Sequence, residues 1–197
     1  SPYWVSIRLC STIAATGPIG TITATAGDLS GTITTTTDRG SVGTLSASRD
    51  LAVRTDISGN IAGLNAGRNI GSAGQAGVIL VRGDLTSAGA PNGQLYNDLR
   101  VGGNITGAVT IGGVTAKPDN NLLGRGSVIA FGRINSVVAN GDFDGSVISY
   151  SGGIGSVAIN NGSLLPGNSI AAYDGTLSSV VITNGNLYGN VHADFDI

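Results

Sequence analysis

Apolar positions recur along the chain with one spacing that is clearest in the stretch LNAGRNI, residues 64–70. In this copy Ile61 is followed by Leu64, by Ala66 and by a closing Ile70. Further full copies begin at Ile19, Val42, Ile134, Ile154 and Leu177, and partial copies close at Leu85 and Ile105. An internal period of this kind is typical of proteins built from stacked repeats.

Each copy contains an apolar-x-apolar triplet, which predicts a short strand with one face turned inward. A turn phrase then follows, as in Gly27-Asp28-Leu29 and Gly185-Asn186-Leu187. We expect its glycine to supply a positive φ and its Asp or Asn to bond the local backbone. The final apolar residue then points back inside, so each copy predicts a strand and a corner.

The closing residues are mostly 19 to 23 positions apart; they are Leu29, Leu51, Ile70, Leu85, Ile105, Phe143, Leu164 and Leu187. Repeats of this length without a helix describe the rungs of a solenoid, whose equivalent strands pair in parallel. The pattern predicts an all-β, right-handed parallel β-helix, a single-stranded solenoid of about eight rungs. A left-handed helix would need a hexapeptide rhythm, and an antiparallel sandwich is the alternative fold.

Irregular spacing divides the chain into segments. Residues 1–16 are expected to form an N-terminal cap or a strand-donating segment, residues 17–191 the β-solenoid and residues 192–197 a C-terminal tail. The gap between Ile105 and Phe143 is nearly double, which predicts a projecting loop near residues 112–127. A smaller loop is expected at residues 87–93.

Composition excludes several classes of protein. The chain has 33 glycines among 197 residues, only 11% charged residues, no Glu and no Met, which disfavours helices. A hydrophobic content of 41% argues against disorder. A net charge of −2 gives no electrostatic basis for nucleic-acid binding, and no apolar run is long enough for a membrane span. The lone Cys10 allows no internal disulfide.

The phrases TLSASRDL and LNAGRNIGS resemble the haemagglutinin-type, Gly/Asn-rich repeats of large bacterial secreted surface proteins. The resemblance covers most of residues 17–191. It implies a right-handed β-helix that is secreted and presented at the cell surface as an adhesin. The N-terminal secretion domain of that family has no match in this sequence.

Few residues suggest catalysis. His192 is the only histidine, so neither a Ser-His-Asp set nor a metal site built from several His or Cys is expected. Two carboxylate pairs remain, Asp142 with Asp144 and Asp194 with Asp196, and such pairs serve acid–base hydrolysis in other proteins. The motifs typical of β-helical polygalacturonases are not found. We therefore predict no enzyme, no catalytic or metal-binding residues and no cofactor.

Three binding alternatives follow from the polar residues. If the turn residues Asp28, Asp50, Asn69, Asp84, Asn104, Asp142, Ser163 and Asn186 share one corner, they form a ladder that is a weak candidate for Ca²⁺. The stretch 21–38 places Thr21, Thr23 and Thr25 on one strand and a second set on the next, which suggests an ice-binding array. Glycan binding is disfavoured, because outward positions such as Ser136 and Ser156 are small and polar.

The terminal stretches lack obvious polar caps, and a solenoid end without a cap exposes strand edges and core. The chain is therefore expected to be part of a longer protein or to assemble end to end with other copies. The sequence predicts an extracellular structural or adhesive β-solenoid, a fibre-forming or surface-layer component. A polysaccharide-binding or polysaccharide-degrading β-helix is the alternative, and an ice-binding protein the third reading.

Overall fold

In a computed structural model, which describes residues 11–37, 39–72, 77–114 and 126–195, the chain forms strands joined by turns and contains no helix within those residues. The odd-numbered strands are β1 (Ser11–Ala15), β3 (Leu29–Thr35), β5 (Leu51–Ile57), β7 (Val78–Val81), β9 (Asp98–Val101), β11 (Val128–Ala130), β13 (Val147–Ser149), β15 (Ser169–Ala172) and β17 (Asn190–Ala193). The even-numbered strands are β2 (Ile22–Ala24), β4 (Val42–Ala47), β6 (Ile61–Ala66), β8 (Ala88–Gln94), β10 (Ile105–Gly113), β12 (Ile134–Ala139), β14 (Ile154–Asn160) and β16 (Val180–Thr183).

The strands alternate between two parallel sheets. Odd-numbered strands stack in chain order in a nine-stranded sheet, and even-numbered strands stack in the same way in an eight-stranded sheet. Each winding of the chain therefore contributes one strand to each sheet and rises to the next. The result is a right-handed parallel β-helix of about eight windings, as the sequence predicts.

The inward apolar positions lie in register and form columns through the core. One column along the eight-stranded sheet runs Leu45, Leu64, Ala88, Val109, Val137 and Val157. Each of these side chains is at most 2% exposed. Burial of this kind is available only when one winding lies on the next, because a single winding has no core of its own.

The predicted column of closing residues is wrong at two positions. Leu85 and Ile105 pair with Ile61 and Ile134, so they lie in the column that starts the strands of the eight-stranded sheet. Ile70 pairs instead with Leu95. The closing column, which forms a short third side of the solenoid, runs Leu29, Leu51, Ile70, Leu95, Val114, Phe143, Leu164 and Leu187.

The difference between the two columns explains the irregular spacing. The two partial copies lie on strands of the nine-stranded sheet, Val78–Val81 and Asp98–Val101, whereas the full copies lie on the eight-stranded sheet. Both kinds of strand carry an apolar-x-apolar triplet followed by Gly and by Asp or Asn. Sequence pattern alone does not distinguish the two sides of the winding.

The turn glycines serve close packing between windings more than a special backbone conformation. Of the glycines in the turn phrases, Gly27 alone has a positive φ, at 155°. A Cβ on Gly83 would lie 2.1 Å from Asn60 Oδ1, and one on Gly185 would lie 1.9 Å from the Gly162 carbonyl oxygen. These positions therefore exclude side chains because the corner of the previous winding occupies the space.

The two predicted loops have different outcomes. Residues 87–93 do not project, since most of them belong to β8, which pairs with β6 and β10 through an irregular register. The larger loop falls mainly on residues 115–125, outside the described residues, while Gly112 and Gly113 belong to β10. Paired strands also extend from β1 to β17, into the segments predicted as a cap and a tail.

Because the core columns are fully buried, shortening a side chain at their centre should lower the stability of the fold strongly. Leu64→Ala should lower the free energy of unfolding by about 2–5 kcal/mol, because the windings on either side cannot close the cavity completely. Urea denaturation followed by circular dichroism measures the change. The neighbouring Asn65→Ala is the control, since Asn65 is exposed on the outer face and its loss should change stability by less than about 0.5 kcal/mol.

Candidate functional site

Polar side chains at the corners bond one winding to the next. At the corner that follows the eight-stranded sheet, Asp28 Oδ1 accepts the backbone N–H of Asp50 at 3.1 Å, and Asp50 Oδ1 accepts that of Asn69 at 3.2 Å. The next amide in this series, that of Gln94, donates to Asn69 Oδ1 at 2.8 Å. Each side chain therefore satisfies a backbone donor of the equivalent residue one winding further on.

A second corner, which follows the nine-stranded sheet, carries its own ladder. Asn60 Oδ1 accepts the Asp84 N–H at 2.8 Å, Asp84 Oδ1 accepts the Asn104 N–H at 2.7 Å, and Asn104 Oδ1 accepts the Arg133 N–H at 2.9 Å. The prediction of one ladder is therefore wrong, because Asp84 and Asn104 lie at this second corner. The abundance of Asn, Asp and Ser has a structural cause at both corners.

The carboxylates of the first ladder are already engaged. Arg68 donates to Asp50 through Nε at 2.8 Å and through Nη2, and Arg49 lies 3.4 Å from Asp28. The Arg68 hydrogen bond holds the pKa of Asp50 below its ordinary 3.8, while burial opposes that shift. Among the described residues no group of three or more His, Cys, Asp or Glu side chains converges as a metal site.

The carboxylate pairs are bound into the scaffold where the structure describes them. Asp142 Oδ1 accepts the Ser163 N–H at 2.9 Å, and Asp144 Oδ1 accepts from Asn168 Nδ2 at 2.8 Å. Phe143 lies between them and points into the core with no exposed surface. Asp194 contacts His192, at 2.7 Å, and Asp196 falls outside the described residues.

The threonine-rich stretch does not form one array. Thr23 lies on β2 of the eight-stranded sheet, whereas Thr32 and Thr34 lie on β3 of the nine-stranded sheet. The two sets therefore occupy different sides of the solenoid. Thr35 is buried and donates to the Gly40 carbonyl oxygen at 2.5 Å, so it belongs to the interior.

The nine-stranded sheet has an aromatic edge that the sequence reasoning missed. Phe131, Tyr150 and Tyr173 each follow a strand of this sheet and stand in register on successive windings. Their exposed fractions are 64%, 48% and 40%. The Tyr150 and Tyr173 rings stack with centroids 5.9 Å apart, and His192 lies 5.5 Å beyond Tyr173.

Apolar residues continue this edge across the sheet. Ile129 and Ile148 are neighbours at the outward position of β11 and β13, and both are half-buried. Ala171 follows at the same position of β15 and is 1% exposed. The outer face of the nine-stranded sheet is therefore apolar and aromatic over its C-terminal windings, which marks it as a candidate interaction surface.

A sequence signal for this face exists in three phrases, VIAFG (128–132), VISYSG (147–152) and IAAYDG (170–175). In each, an aromatic residue follows the apolar run by a constant offset. The positions predicted from the sequence to lie outward, such as Ser136 and Ser156, lie on the eight-stranded sheet, whose outer face also carries Val138, Ala158 and Val181, the last of them 51% exposed. Ser136 and Ser156 give no signal of the aromatic edge, because both lie on the other sheet.

Comparisons with protein-family models, with curated proteins and with solved structures gave no match. Within the described residues, no helix has the length and apolar character needed to cross a membrane.

Removing one side chain of the second ladder should lower the free energy of unfolding by a measurable amount. Asn104→Ala removes the acceptor of the Arg133 N–H and a donor to Asp84, and should lower the free energy of unfolding by about 1–2 kcal/mol. Denaturant unfolding measures it. Asn160→Ala is the matched control, because its bond to Asn140 joins two side chains at the surface and leaves no backbone donor unpaired.

The lowered pKa of Asp50 predicts a pH dependence. Because the folded pKa lies below the unfolded value, the carboxylate stabilises the fold above about pH 4, and this contribution disappears as the pH falls through the folded pKa. Asp50→Asn should be less stable than the wild type at pH 7, with the difference shrinking towards pH 2. Thermal melts from pH 7 to about pH 2 measure this, with Asp56→Asn as the control for an exposed ion pair.

Proposed function

We propose that the protein is a non-enzymatic, structural or adhesive β-solenoid of the extracellular space or bacterial cell surface. Its windings continue end to end into those of other copies, or into further windings of a longer chain, which makes it a fibre-forming or surface-layer component. The resemblance of its repeats to those of secreted surface proteins supports the location. The engagement of its carboxylates in hydrogen bonds between windings supports a scaffold and not a reaction site.

One observation carries the assembly: the last described winding leaves its inward residues uncovered. Leu187 is 51% exposed, whereas its neighbour in the closing column, Leu164, is fully buried. Val180 and Ile182 are half-buried, although the equivalent residues of β14 are at most 1% exposed. Such a rung matches the underside of a further winding, because its columns and its strand edges repeat those of the windings below.

If copies stack end to end, the chain should assemble, and a single charge introduced at the stacking surface should prevent the assembly. The wild-type chain should form rods longer than one copy in negative-stain electron microscopy and sediment faster as its concentration rises. Leu187→Asp should keep the fold, since Leu187 is already half exposed, but should stop elongation because a carboxylate cannot be buried in the stacked core.

Tyr188→Asp is the matched control, since Tyr188 is adjacent and 58% exposed but does not stand in the inward column; it should elongate like the wild type. A wild-type chain that stays monomeric at high concentration, or a Leu187→Asp chain that elongates normally, would contradict the proposal.

Polysaccharide binding is the second candidate, and the aromatic edge of the nine-stranded sheet is the observation that favours it. Aromatic rings bind sugars through their faces, and three exposed rings on successive windings offer a linear track. The Tyr150 and Tyr173 rings, however, are stacked on one another with an 18° angle between their planes, so their faces are partly occupied. The scaffold function therefore stands first.

A further inference from the structure

Over its last six strands, β7 to β17, the outer face of the nine-stranded sheet carries a column with opposite charges at its two ends. Six residues of successive windings form this column, and each comes immediately after the last paired residue of its strand. They are Arg82, Gly102, Phe131, Tyr150, Tyr173 and Asp194. At one winding per step of about 4.8 Å, the column is about 24 Å long. It therefore begins with a cation, passes through three aromatic rings and ends with an anion.

A second column runs beside it, two residues earlier on each strand: Leu80, Arg100, Ile129, Ile148, Ala171 and His192. In the middle of the face the strands are thus apolar on both sides, as in VIA and VIS. Parallel strands with this pattern are typical of sheets that are buried on both faces. Here the inner face packs in the core, and the outer face has Phe131 64% exposed.

The net charge along the sequence changes in the same direction, from positive in the N-terminal part to negative in the C-terminal part. All ten Lys and Arg residues, with seven of the Asp residues, lie in residues 1–133, which gives that part a net charge of +3. Residues 134–197 contain five Asp and no Lys or Arg, for a net charge of −5. Two copies that lie side by side with their axes reversed therefore place opposite charges together.

We propose that this face binds the same face of a second copy, about a twofold axis that runs parallel to the strands between β11 and β13. Such a rotation keeps the strand direction and reverses the order of the windings. Each column therefore lies against the same column of the second copy with the order of its residues reversed, as an isologous contact requires.

In the first column, each residue of one copy faces a complementary residue of the second copy, whose column runs in the opposite order. Arg82 lies opposite Asp194 of the second copy, and this pair occurs twice in the dimer. Gly102 lies opposite Tyr173, so that a ring meets a position without a side chain. Phe131 lies opposite Tyr150, which gives an aromatic contact at the centre.

The second column repeats this logic. Ile129 lies opposite Ile148 of the second copy at the axis, and Arg100 lies opposite Ala171, a large side chain against a small one. At the ends of this column Leu80 lies opposite His192, so the charged ends of the contact come from the first column, and its centre is aliphatic and aromatic. This is the usual arrangement of an interface, with an apolar core and a polar rim.

The end charges are available for the contact. Arg82 is paired with Asp56 at 3.0 Å, but its side chain is 59% exposed. Asp194 is 43% exposed; its Oδ1 contacts His192, and its Oδ2 accepts the Asp174 N–H at 2.9 Å. In the dimer Arg82 joins two carboxylates, Asp56 of its own chain and Asp194 of the other, and the existing contacts of both residues are kept.

The side-by-side contact is separate from the end-to-end contact, and the test keeps them apart. All chains carry Leu187→Asp, which blocks elongation, so sedimentation equilibrium reports the side contact alone. A dimer that dissociates reversibly is expected for this background. This dimer can form whether or not the proposed fibre exists, and the fibre can form without the dimer.

A charge exchange tests the predicted register. Arg82→Asp and Asp194→Arg should each raise the dissociation constant of the dimer about tenfold or more, because each puts two like-charged contacts into it. The double variant, Arg82→Asp with Asp194→Arg, should restore dimerisation to within a few-fold of the background. Restoration cannot arise from damage to the fold, and circular dichroism of each variant checks folding.

A second set of variants tests the centre. Phe131→Ser with Tyr150→Ser should yield a monomer, whereas Tyr188→Ser, an equally exposed tyrosine at another corner, should leave the dimer unchanged. A monomeric background chain, no restoration by the double charge exchange, or a dimer that persists without both rings would overturn the proposal. A monomer whose tyrosine fluorescence changes with cellohexaose would also overturn it and assign the face to a glycan.

Discussion

The structure depends on one constraint: an apolar side chain that points into a winding is buried only by the windings above and below it. Leu64 is fully buried because Leu45 and Ala88 lie in register with it on the neighbouring strands. The same requirement repeats at every inward position, so the windings must stay in register along the whole axis.

The corners solve a second problem that the stacking creates. At each turn the backbone leaves the regular sheets, yet its N–H groups still need acceptors. Asp50, Asn60 and Asn104 supply them from the winding before, and glycines such as Gly83 leave room for this approach. Polar residues that look like candidate ligands in the sequence are therefore largely part of the scaffold.

The outer faces are free of these demands, and that is where the two sheets differ. The eight-stranded sheet presents Ser136 and Ser156 together with Val138 and Val181, whereas the nine-stranded sheet presents Ile129, Phe131 and Tyr150. Tyr150 and Tyr173 stack on one another, but Phe131 is 64% exposed. The proposed contact with a second copy would cover this outer face, and its opposite charged ends would give that contact a direction.

The sequence by itself determined the repeat, the inward positions and the β-helix, because strand periodicity and corner residues are local properties that recur once per winding. It did not determine which side of the winding each copy occupies: Leu29 and Leu85 follow the same Gly-Asp phrase, but only pairing across windings separates their columns. For the same reason Phe131, Tyr150 and Tyr173, 19 and 23 residues apart, became a surface only when stacking brought them into line. Contacts between residues one winding apart are set by register, which is a property of the tertiary structure.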